Sequence, residues 1–321
     1  MSVPASVATS PHARKSGQSV HSWPVLILLL IPAIMLTSCS GAAAESKDLS
    51  GHVLIVGSTA LQPLATQAAS LFVKAHPDVQ LEVRGGGSKV GLVSVNNHQA
   101  DIGDSDIYAD PALYPDPNLT DHLVCVIPFT MITNPGVGIT SLKREEIIKI
   151  FSTGEITNWN QVGGPNLAIA PVVRPATSGT RDTFRKYILE GRDERGKLLT
   201  TDSTDTVRDT VANTPGAIGY IGVPSVDKNV HTIAIDGATP TQANIESGNY
   251  LFWGFEHMYT LGDDDPVIDE FLNHFMLAPQ AQALALQLGY IPIANVKVAK
   301  TDGPALTARA AGSRLDGRTY Q

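Results

Sequence analysis

Cysteine is nearly missing: the 321 residues hold two, Cys39 and Cys125. That count leaves no room for a disulfide-stapled fold or a cysteine-built zinc site. Charge is sparse as well, 17% of residues, and cations are the scarcer sign, with 23 Lys and Arg against 31 Asp and Glu for a net −8. No general basic surface is available for nucleic acid or an acidic membrane. An anionic ligand would have to be held by local dipoles against the overall field, which favours a closed, desolvating cleft over an open basic patch. Catalytic signatures are missing too. There is no Gly-x-Ser-x-Gly elbow, no His-Glu-x-x-His pair and no Cys/His ligand spacing, and none of the nine histidines sits in a nucleophile pattern.

What is present begins with a processing signal. Arg14 and Lys15 precede an apolar run over residues 25–36, too short to span a bilayer comfortably. Leu36-Thr-Ser-Cys39 follows at once. Small residues before a cysteine at this spacing resemble the bacterial lipobox, in which the cysteine is lipidated and becomes the first residue. Residues 1–38 are therefore expected to be a lipoprotein signal peptide, Cys39 the lipidation site, and 39–50 a small, polar tether. Cys125, inside Leu123-Val-Cys-Val-Ile127, reads as a small buried hydrophobe.

The centre of the chain is Arg174-Pro-Ala-Thr-Ser-Gly-Thr-Arg-Asp-Thr-Phe184. An apolar strand over 169–173 leads in, and an amphipathic helix with Phe184, Tyr187, Ile188 and Leu189 leads out to Gly191. Hydroxyls at a helix start cap its unpaired N–H groups, Gly179 removes a side chain that would block them, and an arginine stands near. That combination is an anion site; an ordinary cap beside a surface arginine is the plain alternative. The same arrangement recurs. A strand over 52–56 turns at Ser58 and Thr59 into a helix with Leu61, Leu64, Ala68, Leu71, Phe72 and Ala75 at helical spacing, with a hydroxyl-capped start. Val79, Leu81 and Val83 alternate into Gly85-Gly-Gly-Ser88 and a short helix. The glycine run matches neither a dinucleotide fingerprint nor a Walker loop. Asp101-Ile-Gly-Asp-Ser-Asp106 is a strand and turn, with Asp101 and Asp104 read as turn chemistry on a solvated edge.

Further on, 123–133 is an apolar β-rich run and 250–260 an aromatic one, the two candidate crossings between lobes. Ser141 is expected to open a helix through Ile147, Ile148 and Phe151, and residues 206–212 form another. Asp265-Pro266 is a cap and first-turn proline, and a last helix stops at Gly289. Strands alternating with helices imply an α/β fold with ligands at the carboxyl ends of strands.

At this point the chain resembles the phosphate-binding lipoproteins of the bacterial high-affinity phosphate ABC importer, the PstS type, within the periplasmic-binding-protein superfamily. The likeness is carried by Gly57-Ser-Thr-Ala-Leu-Gln-Pro63, Gly86-Gly-Ser88, Asp101 through Asp106, Ile156-Thr-Asn-Trp-Asn160, Arg174 through Phe184, Thr214-Pro-Gly-Ala-Ile-Gly-Tyr220 and Leu288-Gly-Tyr-Ile-Pro292. It implies a two-lobe, Venus-flytrap α/β fold with a cleft between lobes joined by two crossing segments. Lobe 1 would take 51–129 and 253–298, lobe 2 would take 130–252, and 299–321 would be a disordered tail. The resemblance implies phosphate binding by Ser58, Thr59, Ala60, Ser88, Asp106, Arg174, Ser178, Gly179 and Thr180. It implies no cofactor, no metal and no catalysis. Its partners would be the membrane permease and ATPase subunits of the importer, with the protein a monomer anchored outside the cytoplasm through Cys39.

One departure matters. Some family members place an aspartate two residues after the arginine to hold its guanidinium, and here that position is Ala176. Either another carboxylate orients Arg174 or the side chain is looser. Asp106 is the discriminating residue, since a carboxylate accepts the proton of a protonated phosphate and repels sulfate, which has none at neutral pH. The rivals are a sulfate, molybdate or organic-acid binder, a hydrolase built on Ser178, and a surface protein that kept the fold and lost the ligand.

Overall fold

A computed structural model describes residues 49–199, 202–262, 264–295 and 297. The signal segment, Cys39, nearly all of the expected tether and the tail from 299 lie outside the described residues. In chain order the elements are β1 (Gly51–Gly57), α1 (Gln62–Ala75), β2 (Val79–Arg84), α2 (Ser88–Asn96), β3 (Ile102–Ser105), β4 (Leu119–Thr133), β5 (Ser141–Leu142), α3 (Arg144–Ile148), β6 (Ala170–Val173) and α4 (Gly179–Tyr187). They continue with β7 (Lys197–Leu198), α5 (Thr204–Asn213), β8 (Ala217–Gly222), β9 (His231–Ile235), α6 (Gln242–Glu246), β10 (Trp253–Leu261), α7 (Pro266–Asp269), α8 (Pro279–Leu288) and β11 (Ile291–Pro292).

The strands join in the order β2-β1-β3-β10-β4-β8-β6-β7, with β9 and β11 also on β4 and β5 on β9. Two parallel sets, β2-β1-β3 and β8-β6-β7, flank the antiparallel pair β10 and β4. This is a mixed α/β fold of two lobes on a curled sheet. β4 serves both halves of the sheet. Its first part pairs with β10 up to Pro128, and residues 129–133 pair with β8 instead. The change happens at Phe129, whose N–H donates to the Phe252 carbonyl (3.0 Å) and whose own carbonyl accepts from the Tyr250 hydroxyl (2.7 Å). From Val124 onward every β4 side chain is buried, as expected of a strand covered on both faces.

Apolar spacing explains the helices. In α1, Leu64, Ala65, Ala68, Ala69 and Phe72 form one buried stripe, and Phe72 meets Phe271 and Phe275 edge-on. Cys125 is buried, and burial pushes its thiol well above its ordinary range. Two local readings are corrected. Ser141 does not open a helix: it pairs with Ala234 in the β5–β9 ladder, and α3 starts at Arg144 behind a box in which the Lys143 N–H donates to Glu146 (2.7 Å). Strand pairing outcompetes the serine's capping preference there. Likewise α1 begins at Gln62, because Ser58 folds its own turn first.

Candidate functional site

Six segments at strand ends and helix starts converge between the lobes. After β1, the Ser58 hydroxyl accepts from the Ala60 and Leu61 N–H groups (3.1 and 3.0 Å) and donates to Asp106. The Thr180 hydroxyl, in the first turn of α4, donates to the other Asp106 oxygen (2.7 Å). Ser88, first residue of α2, accepts from the Asp106 N–H (2.9 Å). Ser178 caps α4 by accepting from the Arg181 N–H (3.3 Å). All of these hydroxyls and Asp106 are buried.

Arg174 follows β6 and is 1% exposed. Its Nε donates to Asp202 (2.7 Å), and its Nη2 reaches Asp202 (2.6 Å), Thr59 (2.8 Å) and Thr204 (3.3 Å). Nη1 has no partner among the described residues. A guanidinium presents five donors in a fixed fork, so holding one edge aims the other. Asp202 is thus the carboxylate that orients Arg174 where Ala176 cannot. Sequence reasoning missed it and Thr204. The available signal was Asp202-Ser203-Thr204-Asp205, one more hydroxyl-rich helix start, in which Ser203 caps α5 by accepting from Thr206 (3.2 Å).

The lobes touch at these residues. The Thr59 and Thr204 hydroxyls are 3.0 Å apart, the Lys89 N–H donates to the Thr177 carbonyl (3.1 Å), and Lys89 pairs with Asp182 (2.7 Å). A methyl on Gly179 would lie 2.2 Å from the Ser88 hydroxyl and 3.1 Å from the Asp106 Cβ, so the close approach requires glycine. All nine residues anticipated from the sequence lie in these converging turns. The Ala60 N–H is already satisfied by Ser58.

Burial raises the Asp106 carboxyl, while hydrogen bonds from Ser58 and Thr180 and the charge of Arg174 draw it back towards the ionised form. Asp104 is a correction. It is no solvated edge but 1% exposed, on a strand enclosed between β1 and β10, and burial followed by the Asp106 charge pushes its carboxyl well up. Asp101 stays at the surface and accepts from the Leu54 N–H (2.7 Å).

The motif ending in Tyr220 supports the site from behind. The Tyr220 ring stacks on Phe184 of α4 at 4.1 Å, and its hydroxyl donates to Glu194 (2.5 Å), which also holds Arg181. Among the described residues, no group of three or more His, Cys, Asp or Glu could hold a metal ion, and no helix is long and apolar enough to cross a membrane.

The fold is that of a two-lobe binding protein, and its strand ends bring together hydroxyls, helix starts, one aimed guanidinium and one carboxylate. Comparison with known proteins agrees. The chain belongs to the PBP superfamily, whose domain matches residues 42–279, and within it to the PstS family. Phosphate-binding protein PstS of Bacillus subtilis (strain 168) is 37% identical over 289 residues, 86% of this chain and 96% of that protein. A substrate-binding protein from Clostridium perfringens, solved with bound phosphate, superposes with a TM-score of 0.68 at 25% identity, covering 76% of this chain and all (100%) of the other. An ABC-type phosphate transport receptor from Vibrio cholerae gives a TM-score of 0.60 at 28% identity, covering 74% and 99%.

Proposed function

We propose that this protein captures one inorganic phosphate ion in the cleft, outside the cytoplasm, and delivers it to the membrane permease and ATPase of an ABC importer. The observation that carries the reading is Asp106, a buried carboxylate set among donors. Thr59, Ser88, Ser178 and Thr180 supply hydroxyls, Gly179 supplies a backbone N–H, the Ala60 N–H is released to the ligand when the Ser58 hydroxyl turns away from it, and Arg174 supplies Nη1, which has no partner among the described residues. Ser58 and Thr180 now donate to Asp106, and each hydroxyl can turn to the ligand. Hydrogen bonds to a charged group are worth about 1.5–3 kcal/mol each, so this set outweighs desolvation for a micromolar Kd of about −8 kcal/mol. Asp106 then accepts the proton that phosphate carries and sulfate lacks. Ser178 caps α4 by accepting from the Arg181 N–H, and no base among the described residues is hydrogen-bonded to it, which supports binding without turnover. The PstS relatives and the phosphate-bound neighbour favour the same ligand.

The wider reading goes with it. Residues 1–38 are a signal peptide, Cys39 is the lipid anchor, lobe 1 comprises 51–129 and 253–298, lobe 2 comprises 130–252, and the protein works as a monomer. Calorimetry on wild type and Asp106→Asn with phosphate and sulfate tests the core of this. Wild type should bind phosphate one-to-one and reject sulfate. The variant removes the repulsion and offers a donor, so the phosphate-to-sulfate affinity ratio should fall by about tenfold or more. A ratio that does not move places Asp106 outside the ligand shell.

A further inference from the structure

Glu256 is a charged residue type in the driest part of the molecule. It lies in β10 and is 0% exposed; no N–H or hydroxyl among the described residues donates to either carboxyl oxygen, and the polar group within hydrogen-bond reach is the Asp106 carboxyl. The β3–β10 ladder pairs Asp104 with Met258 and Ser105 with His257. β3 ends at Ser105, and the next residue, Asp106, leaves the ladder in a bend with its carboxyl beside that of Glu256. Side chains opposite each other, or two apart on one strand, share a face. Asp104, Asp106 and Glu256 therefore form a cluster of three buried carboxyls, and one oxygen of Asp104 is unpartnered among the described residues too. On the other side, β4 presents Cys125 directly across from Glu256, and Tyr290, before β11, completes the surroundings with its hydroxyl on the Ala60 carbonyl (2.6 Å). The titratable groups coupled to Glu256 among the described residues, Asp104, Asp106, Cys125 and Tyr290, are all acids. The guanidinium serving the cluster, Arg174, is paired with Asp202.

We propose that Glu256 is a positioning residue for Asp106: an uncharged carboxyl directly behind it, which leaves Asp106 as the one unpaired negative charge beside the ligand and which, once ionised, drives phosphate out. The inference rests on the phosphate reading above. Two ionised carboxylates side by side in a dry interior repel strongly, and a lone buried charge is costly. Burial, then the neighbouring Asp106 and Asp104 carboxyls, hold the Glu256 carboxyl well above its ordinary range, in line with that geometry. The proton on Glu256 is thus what allows Asp106 to be ionised and accept the phosphate proton. Alkaline conditions remove it and place a second negative charge behind the site.

The experiment measures phosphate affinity from about pH 7 to about pH 10 in wild type, Glu256→Gln and Glu256→Met, both permanently uncharged. The phosphate ion's own titration cancels in the variant-to-wild-type ratio. That ratio should rise by about tenfold or more towards the alkaline end, one charge beside a charged ligand being worth at least about one pKa unit. Either variant suffices if the other does not fold. A flat ratio in the variants that fold overturns the proposal while leaving the phosphate reading intact, whereas a wild type that binds no phosphate at about pH 7 overturns that reading first. Melting without phosphate is an arm independent of the ligand. A carboxyl raised in the folded state binds more protons there than when unfolded, so it costs stability as pH climbs above its ordinary 4.5. Wild type should lose melting temperature with rising pH more steeply than either variant, and equal slopes would mean that Glu256 is already charged.

Discussion

Asp202 decides what Arg174 can do. A guanidinium 1% exposed needs a counter-charge, and Asp202 supplies it through both Nε and Nη2 while Nη1 keeps no partner among the described residues. Breaking a buried charge pair by removing one partner costs about 3–5 kcal/mol. Asp202→Asn keeps the shape and removes the charge, so the phosphate-free protein should melt lower, by the equivalent of about 3 kcal/mol. Phosphate would then supply the missing negative charge, so the melting shift it produces should be larger in the variant than in wild type. Thermal melts with and without phosphate read both effects, and a shift no larger than wild type's would mean that Arg174 does not face the ligand.

At the scale of elements, α4 is held at both ends of its job. Its first turn carries Ser178, Gly179 and Thr180, and its body rests on Tyr220 of β8 through the stacked Phe184 ring. The Tyr220 hydroxyl and Arg181 together satisfy Glu194, whose side chain is 0% exposed. Burial pushes the Glu194 carboxyl up, and those two partners draw it down. Tyr220→Phe keeps the stacking and deprives a buried carboxyl of one donor, which should cost about 1–3 kcal/mol. Denaturant unfolding checks this, and an unchanged midpoint would show that Arg181 alone satisfies Glu194. The Lys89–Asp182 pair between α2 and α4 is different. Its side chains are 39% and 29% exposed, so solvent screens it and it adds little to closure.

For the whole molecule, the contact of Gly179 with Ser88 makes closure testable. Gly179→Ala places a methyl 2.2 Å from the Ser88 hydroxyl, a separation that atoms do not tolerate, so the lobes of the variant must stay apart. Wild type should become more compact in small-angle scattering when phosphate is added. The variant should show no such change and should bind at least about tenfold more weakly, a loss of about 1.4 kcal/mol. Identical scattering of wild type with and without phosphate would remove hinged closure from the account.

Period and punctuation made much of the fold legible. The three-and-four spacing from Leu61 to Ala75, the alternation of Val79, Leu81 and Val83, the Asp265-Pro266 cap and the stop at Gly289 are signals between near neighbours in the chain. They appear as α1, β2, α7 and the end of α8. The turns that converge between strand ends were legible for the same reason, since a hydroxyl beside a glycine at a strand end marks a helix start. What surrounds those turns was decided only in three dimensions. Asp202 lies 28 residues beyond Arg174, and Asp104 reads as an ordinary turn acid until β10 covers it. Glu256 looks like any polar strand residue until the fold sets its carboxyl beside Asp106. Ser141 became a strand because β9 was there to pair with it. In each case the deciding quantity was burial or a partner contributed by a distant segment. A sequence states a residue's chemistry and its neighbours' spacing, whereas desolvation and pairing are properties of the packed chain.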